Sequence, residues 1–180
     1  MNCWIAFLRG INVGGNNILP MKSLASLIEG LGAKDVKTYI QSGNAVFRHS
    51  VGEAIALTKQ IERAVLRAHG FAPNVLLLTR DELEAAAKAN PFPEAASAPK
   101  SLHLAFLAEV PVNANWDGLN EIKRVDERYM VKGKVFYLYA PEGIGKSKLA
   151  ARYEKLLGVS ATARNWNTVV KMIELAEQVG

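Results

Sequence analysis

The order of apolar runs in this chain repeats, and that repetition constrains the fold more than any single residue does. Residues 4–11 form a short apolar run broken at Gly10 and followed by Asn12-Val13-Gly14-Gly15-Asn16-Asn17, the pattern of a buried strand and a turn. Pro20, then Met21, Leu24, Leu27, Ile28 and Leu31 at helical spacing, with Gly32 as the stop, predict a helix. Residues 36–40 and 45–47 flank Gln41-Ser42-Gly43-Asn44, which is hairpin chemistry. Leu57, Ile61, Ala64, Val65 and Ala68 make a second helical stripe over residues 53–69, closed by Gly70. Residues 75–79 read as another strand. The series is strand, helix, strand, strand, helix, strand.

The same series follows a second time. A short helix over 81–89 leads into Asn90-Pro91-Phe92-Pro93 and an Ala/Ser/Pro stretch ending at Pro99, the best linker composition in the chain. Beyond it come a strand over 102–108, a short helix over 116–122, and a hairpin of 128–131 with 135–139 around Lys132-Gly133. A helix over 146–157, a short strand over 159–163 and a final helix over 165–179 complete the series. The expected fold is therefore α+β, two tandem ferredoxin-like βαββαβ plaits, each an antiparallel sheet with helices on one face. The expected divisions are 1–80, a helix and linker over 81–100, and 101–180.

That topology predicts which loops meet. In the first unit the turn after the first strand and the hairpin between strands two and three share one end. Arg9, Asn12, Gly14, Gly15 and Asn17 are thereby expected beside Gln41, Ser42, Gly43 and Asn44. In the second unit the loop after strand three and the exit of strand four share an end, which groups Gly143, Gly145, Lys146, Ser147 and Lys148 with Arg164, Asn165 and Asn167. Paired glycines let backbone N–H groups converge on an anion, and a helix N-terminus adds a favourable dipole. The competing reading is that the same glycines only permit positive φ in tight connections.

Composition narrows the functional classes. The chain is 49% hydrophobic and 22% charged over 180 residues, which excludes disorder and collagen-like order. Its apolar runs fall short of the roughly 20 residues that span a bilayer. Met1-Asn2-Cys3-Trp4 lacks a basic leader, so the first run reads as a strand and not as a secretory signal. One cysteine, Cys3, cannot form an internal disulfide or a multi-cysteine metal site. The expectation is a cytoplasmic protein with no membrane partner. The net charge of +5 is dispersed, permitting an anionic small molecule or nucleic acid without demanding one. His49, His69 and His103 show no metal-ligand spacing, so neither a metal nor another cofactor is expected.

Ala140-Pro141-Glu142-Gly143-Ile144-Gly145-Lys146-Ser147 lies between a strand and a helix and fits a permissive P-loop spelling. Three features oppose a nucleoside triphosphatase. The preceding strand belongs to an antiparallel hairpin, Pro141 removes an N–H from the cradle, and no later strand ends in a magnesium-holding aspartate. Simple phosphate capture by Lys146, Lys148 and Arg164 remains open beside a purely structural capped turn.

Four segments, Leu8-Arg9-Gly10-Ile11-Asn12-Val13-Gly14-Gly15, Tyr39-Ile40-Gln41-Ser42-Gly43-Asn44, Gly143-Ile144-Gly145-Lys146-Ser147-Lys148-Leu149 and Thr162-Ala163-Arg164-Asn165-Trp166-Asn167-Thr168-Val169, together resemble a bacterial family, the domain-of-unknown-function 1697 family. The resemblance spans nearly the whole chain and implies two ferredoxin-like units. It implies no reaction. From the residues themselves, the expected function is a module that binds a nucleotide, phosphate ester or nucleic acid at the glycine-rich loops. The alternative is an enzyme acting on a small phosphorylated or carboxylated substrate.

Overall fold

The computed structural model describes residues 1–180. It is a mixed α+β chain with two four-stranded antiparallel sheets and six α-helices. Two compact units are formed, Met1–Ala85 with Lys171–Gly180, and Ala86–Val170.

In the first unit, β1 (Asn2–Arg9), α1 (Met21–Gly30), β2 (Lys34–Tyr39), β3 (Asn44–His49), α2 (Ala54–His69) and β4 (Asn74–Thr79) follow the expected order. The sheet order is β2-β3-β1-β4, with Ala6 of β1 opposite Ala45 of β3 and Leu77 of β4. Strand alternation sends Trp4, Ala6 and Leu8 to the helix-covered face. There they pack with Leu24 and Ile28 of α1 and Leu57, Ile61 and Val65 of α2. Burying a Leu- or Ile-sized side chain contributes about 1.5–3 kcal/mol, so this cluster is the unit's main stabilising term. The buried His49 ring ties the sheet to the end of α1. Its Nδ1 accepts from Val51 N–H at 3.0 Å, which assigns the proton to Nε2, 2.9 Å from Leu31 O.

Cys3, Ile5, Phe7 and Arg9 occupy the opposite face of β1. Cys3 Sγ lies 3.8 Å from Ala176 O in α6 (Trp166–Val179), and burial pushes its thiol pKa up. The same part of α6 supplies Gln178, which accepts from Lys37 Nζ at 2.9 Å, and Glu177, 3.5 Å from Arg80. α3 (Arg80–Lys88) begins with a capping box, since Thr79 N–H donates to the Glu82 carboxylate and Glu82 N–H donates to Thr79 Oγ1.

Ile40 has φ +46 and is half exposed at the start of the β2–β3 turn. A β-branched residue is strained in this left-handed region, by about 1–2 kcal/mol. Asparagine tolerates that conformation. Ile40→Asn is therefore expected to stabilise the protein by about 1 kcal/mol, raising Tm by roughly 2–4 °C in a thermal melt.

The second unit holds β5 (Leu102–Leu107), α4 (Trp116–Ile122), β6 (Arg128–Lys132), β7 (Val135–Tyr139), α5 (Lys148–Leu157) and β8 (Ala161–Asn165), in the sheet order β6-β7-β5-β8. Ala105, Leu107, Phe136 and Leu138 pack against Leu149, Tyr153 and Leu157 of α5. Phe136 stacks on Tyr153 with ring centroids 4.8 Å apart. The stretch over 90–99, whose composition suggested a linker, belongs to this unit, as do residues 86–89 before it. Tyr137 OH donates to Ala86 O and Lys132 Nζ to Ala89 O, both at 2.7 Å. Arg128 pairs with Glu94 and lies 4.9 and 4.7 Å from the ring centroids of Phe92 and Tyr139, a doubled cation–π contact.

In the second unit two elements begin two residues later than the sequence pattern predicts. α5 starts at Lys148 because Ser147 is its N-cap, accepting from Ala150 N–H at 2.9 Å. β8 runs two residues later than expected, over Ala161–Asn165. Gly158 ends α5 in the left-handed conformation and Val159 packs into the core before pairing begins.

Candidate functional site

Both glycine-rich corners exist, and they differ in character. In the first, Leu8 N–H donates to Gly43 O at 2.8 Å. The Asn12 carboxamide donates to Leu19 O (2.9 Å) and Gln41 O (2.8 Å) and accepts from Leu19 N–H (2.8 Å). Asn17 Nδ2 donates to Gly10 O at 2.8 Å, while the fully buried Asn44 donates to Tyr39 O and Ser42 Oγ. These carboxamides replace regular backbone pairing in the loops, which is why Asn12 and Asn17 accept positive φ. The corner brings Asn12, Asn17, Gln41, Ser42, Gly43 and Asn44 together. Gly14 and Gly15 sit exposed at the loop tip. Arg9 ends β1 on the face away from α1 and α2. Most of this corner's carboxamide capacity is used internally.

The second corner is more open. Ala98, Pro99, Lys100, Ser101, Pro141, Gly143 and Asn167 line a cavity of about 330 Å³. Three chain segments meet there: the approach to β5, the loop leaving β7, and the first turn of α6. Ala140 N–H donates to Ser101 O at 2.7 Å and fixes two of them against each other. Gly143 N–H donates to Ala140 O at 2.9 Å, so the loop turns tightly immediately after β7. Gly145, Lys146 and Lys148 are exposed, and Ser147 is buried as the helix cap. The N–H groups of Lys148 and Leu149 precede the first capped amide of α5, so the helix presents donors beside two lysines. Glu142 is the one carboxylate within the loop.

Asn165 caps the last helix, its Oδ1 accepting from Thr168 N–H at 2.9 Å, whereas Asn167 faces the cavity. Arg164 is displaced from this group. It pairs opposite Leu104, while Ala105 and Leu107 join the α5 core, so Arg164 sits on the sheet face away from α5. Its Nη1 donates to Ala163 O, and burial lowers its pKa to about 10.

His103 is a feature the sequence did not single out. It lies on β5 opposite Asn165 and Leu138, two residues along the chain from Ser101. Its Nδ1 is buried with no hydrogen-bond partner, and burial lowers the imidazole pKa. No pattern of residue types marks such a group, because its cross-strand neighbours come from two other strands, β7 and β8. No three His, Cys, Asp or Glu side chains converge on a point where a metal ion would sit. β7 is antiparallel to both neighbours, so the loop after it is not the strand-to-helix crossover of a parallel sheet.

The sequence profile of a family described as "Protein of unknown function (DUF1697)" matches residues 1–137. The chain belongs to the DUF1697 family. Among solved structures it is similar to the conserved bacterial protein SP0830 from Streptococcus pneumoniae, at 23% identity and a TM-score of 0.69, over 97% of this chain and 98% of that one. At that identity the likeness speaks to the fold alone. No curated protein matches the chain. The DUF1697 match covers the first corner and ends before the loop of the second. No helix is long and apolar enough to cross a membrane.

Proposed function

We propose that this DUF1697 protein is a cytoplasmic module that binds a small anion-bearing molecule, a nucleotide or phosphate ester, in the second unit. The cavity lined by Lys100, Ser101, Gly143 and Asn167 carries the reading. It offers a cation, a carboxamide and small-residue walls in one concavity, the usual make-up of a small-ligand site. Lys146, Lys148 and the leading N–H groups of α5 supply further positive potential along the same loop. The first corner serves as scaffold in this reading, and Arg164 serves the opposite sheet face. Each unit is proposed to be a ferredoxin-like plait, supported by the strand order, which within each unit reads four, one, three, two with all neighbours antiparallel. A lone cysteine fits a reducing compartment.

Thermal melts at low salt with inorganic phosphate, AMP, ATP and a single-stranded oligonucleotide test the binding. A ligand at about 100 times its Kd is expected to stabilise by about 2.7 kcal/mol, a Tm rise of roughly 5–10 °C. The double substitution Lys100→Ala with Lys148→Ala should abolish the rise. No shift with millimolar amounts of any of the four would overturn the reading; a response to the oligonucleotide alone would make nucleic acid the ligand. His103 favours the enzymatic alternative, because a buried imidazole with an unpartnered Nδ1, two residues along the chain from the cavity-lining Ser101, is a candidate proton acceptor. Loss of turnover, with retained binding, in His103→Gln would distinguish that case.

A further inference from the structure

We propose that Ser23 and His69 form a nucleophile–base pair that hydrolyses carboxylic esters of short apolar acyl chains, at a site independent of the second unit's cavity. Ser23 Oγ and His69 Nε2 are 2.8 Å apart, the contact expected between an attacking hydroxyl and the base that takes its proton. Both side chains are half-buried, so the pair is sheltered yet reachable. His69 closes α2 and its ring leans against Phe71, with centroids 6.4 Å apart and planes tilted by 57°, which restrains the imidazole.

Two surrounding features suit acyl transfer. Ser23 stands in the first turn of α1, and Pro20, the residue before that helix, makes no side-chain capping hydrogen bond. The first intrahelical bond runs from Leu24 N–H to Pro20 O. The N–H groups of Met21, Lys22 and Ser23 are thus left as donors at the positive end of the helix, beside the nucleophile. One to two turns along the same helix seam, Ser26, Leu27, Gly30, Leu31, Ala64, Arg67 and Ala68 line a groove of about 340 Å³. Its apolar walls suit an acyl chain.

In the acylation step Ser23 Oγ bonds to the ester carbonyl carbon as its proton passes to His69 Nε2. The carbonyl electron pair moves onto oxygen, facing the N–H donors. Collapse of that oxyanion breaks the bond to the alcohol oxygen, which leaves with the proton from His69. Water then repeats the sequence on the acyl-serine, releasing the carboxylic acid and restoring both side chains.

Full-length protein treated with a fluorophosphonate and digested for mass spectrometry should carry the adduct on Ser23. p-Nitrophenyl butyrate should be turned over, with the rate falling at least about 100-fold in Ser23→Ala and in His69→Gln. Tm measured alongside shows that the variants remain folded; should Ser23→Ala fail to fold, adduct mapping on the unaltered chain decides. Absence of an adduct on Ser23, or turnover within twofold of the unaltered chain in folded Ser23→Ala, would overturn the proposal and identify the contact as an interhelical tie. Neither result bears on phosphate binding by the second unit.

Discussion

Gly43→Ala should cost about 3–4 kcal/mol and lower Tm by roughly 6–15 °C. Two independent penalties add at this position. Gly43 has φ +75, where any side chain is strained. A Cβ built there would lie 2.7 Å from both Leu8 Cβ and Ile11 Cδ1. Leu8 cannot retreat, since it belongs to the buried face of β1 and its N–H is bonded to Gly43 O. Urea denaturation gives the number directly. A loss below about 1 kcal/mol would mean that the β2–β3 turn can shift away from the strand, and the first corner would then not be the rigid scaffold described above.

Glu127→Ala is expected to cost about 3–5 kcal/mol, the range for removing one member of a buried ion pair. Glu127 is fully buried. Its carboxylate accepts from Arg124 N–H at 2.9 Å and lies 3.3 Å from Arg124 Nε, with Asp126 also beside that guanidinium. Truncation leaves the Arg124 N–H without its acceptor in the turn leading to β6 and removes one of the two carboxylates beside the guanidinium. Glu127→Gln keeps an oxygen for Arg124 N–H while losing the charge, so its cost should be smaller, about 1–2 kcal/mol. Equal losses in the two variants would assign the effect to the charge alone; equal and negligible losses would show that the turn rearranges freely.

The order of elements was legible in the sequence because it rests on long apolar stripes with glycine stops, such as Leu57-Ile61-Val65 closed by Gly70. The convergence of Asn12 with Gln41 and of Gly143 with Asn167 followed from strand direction alone. Arg164 did not. Ala161-Thr162-Ala163-Arg164-Asn165 lacks an apolar run, while Gly158-Val159 pulls a strand assignment two residues early. A strand ending at 163 leaves Arg164 free in a loop, whereas pairing through Asn165 commits it to one face of the sheet. Ser23 and His69 are 46 residues apart and meet only through the packing of α1 against α2. The stretch over 90–99 looked like a linker because it is proline-rich; the side chains that hold it and the residues just before it, Arg128, Lys132 and Tyr137, lie on the distant hairpin.

The divided membership of α6 has a consequence for the order of events in the cell. Lys171–Gly180 belongs to the unit that begins at Met1, yet it is synthesised only after the whole of Ala86–Val170. During translation the first unit therefore emerges without the residues that meet Cys3, Lys37 and Arg80, and it can be completed only after the second has been made. Covering of that sheet face must wait on the later-made half, so the nascent chain spends that interval with the face unprotected, a stage open to misassociation.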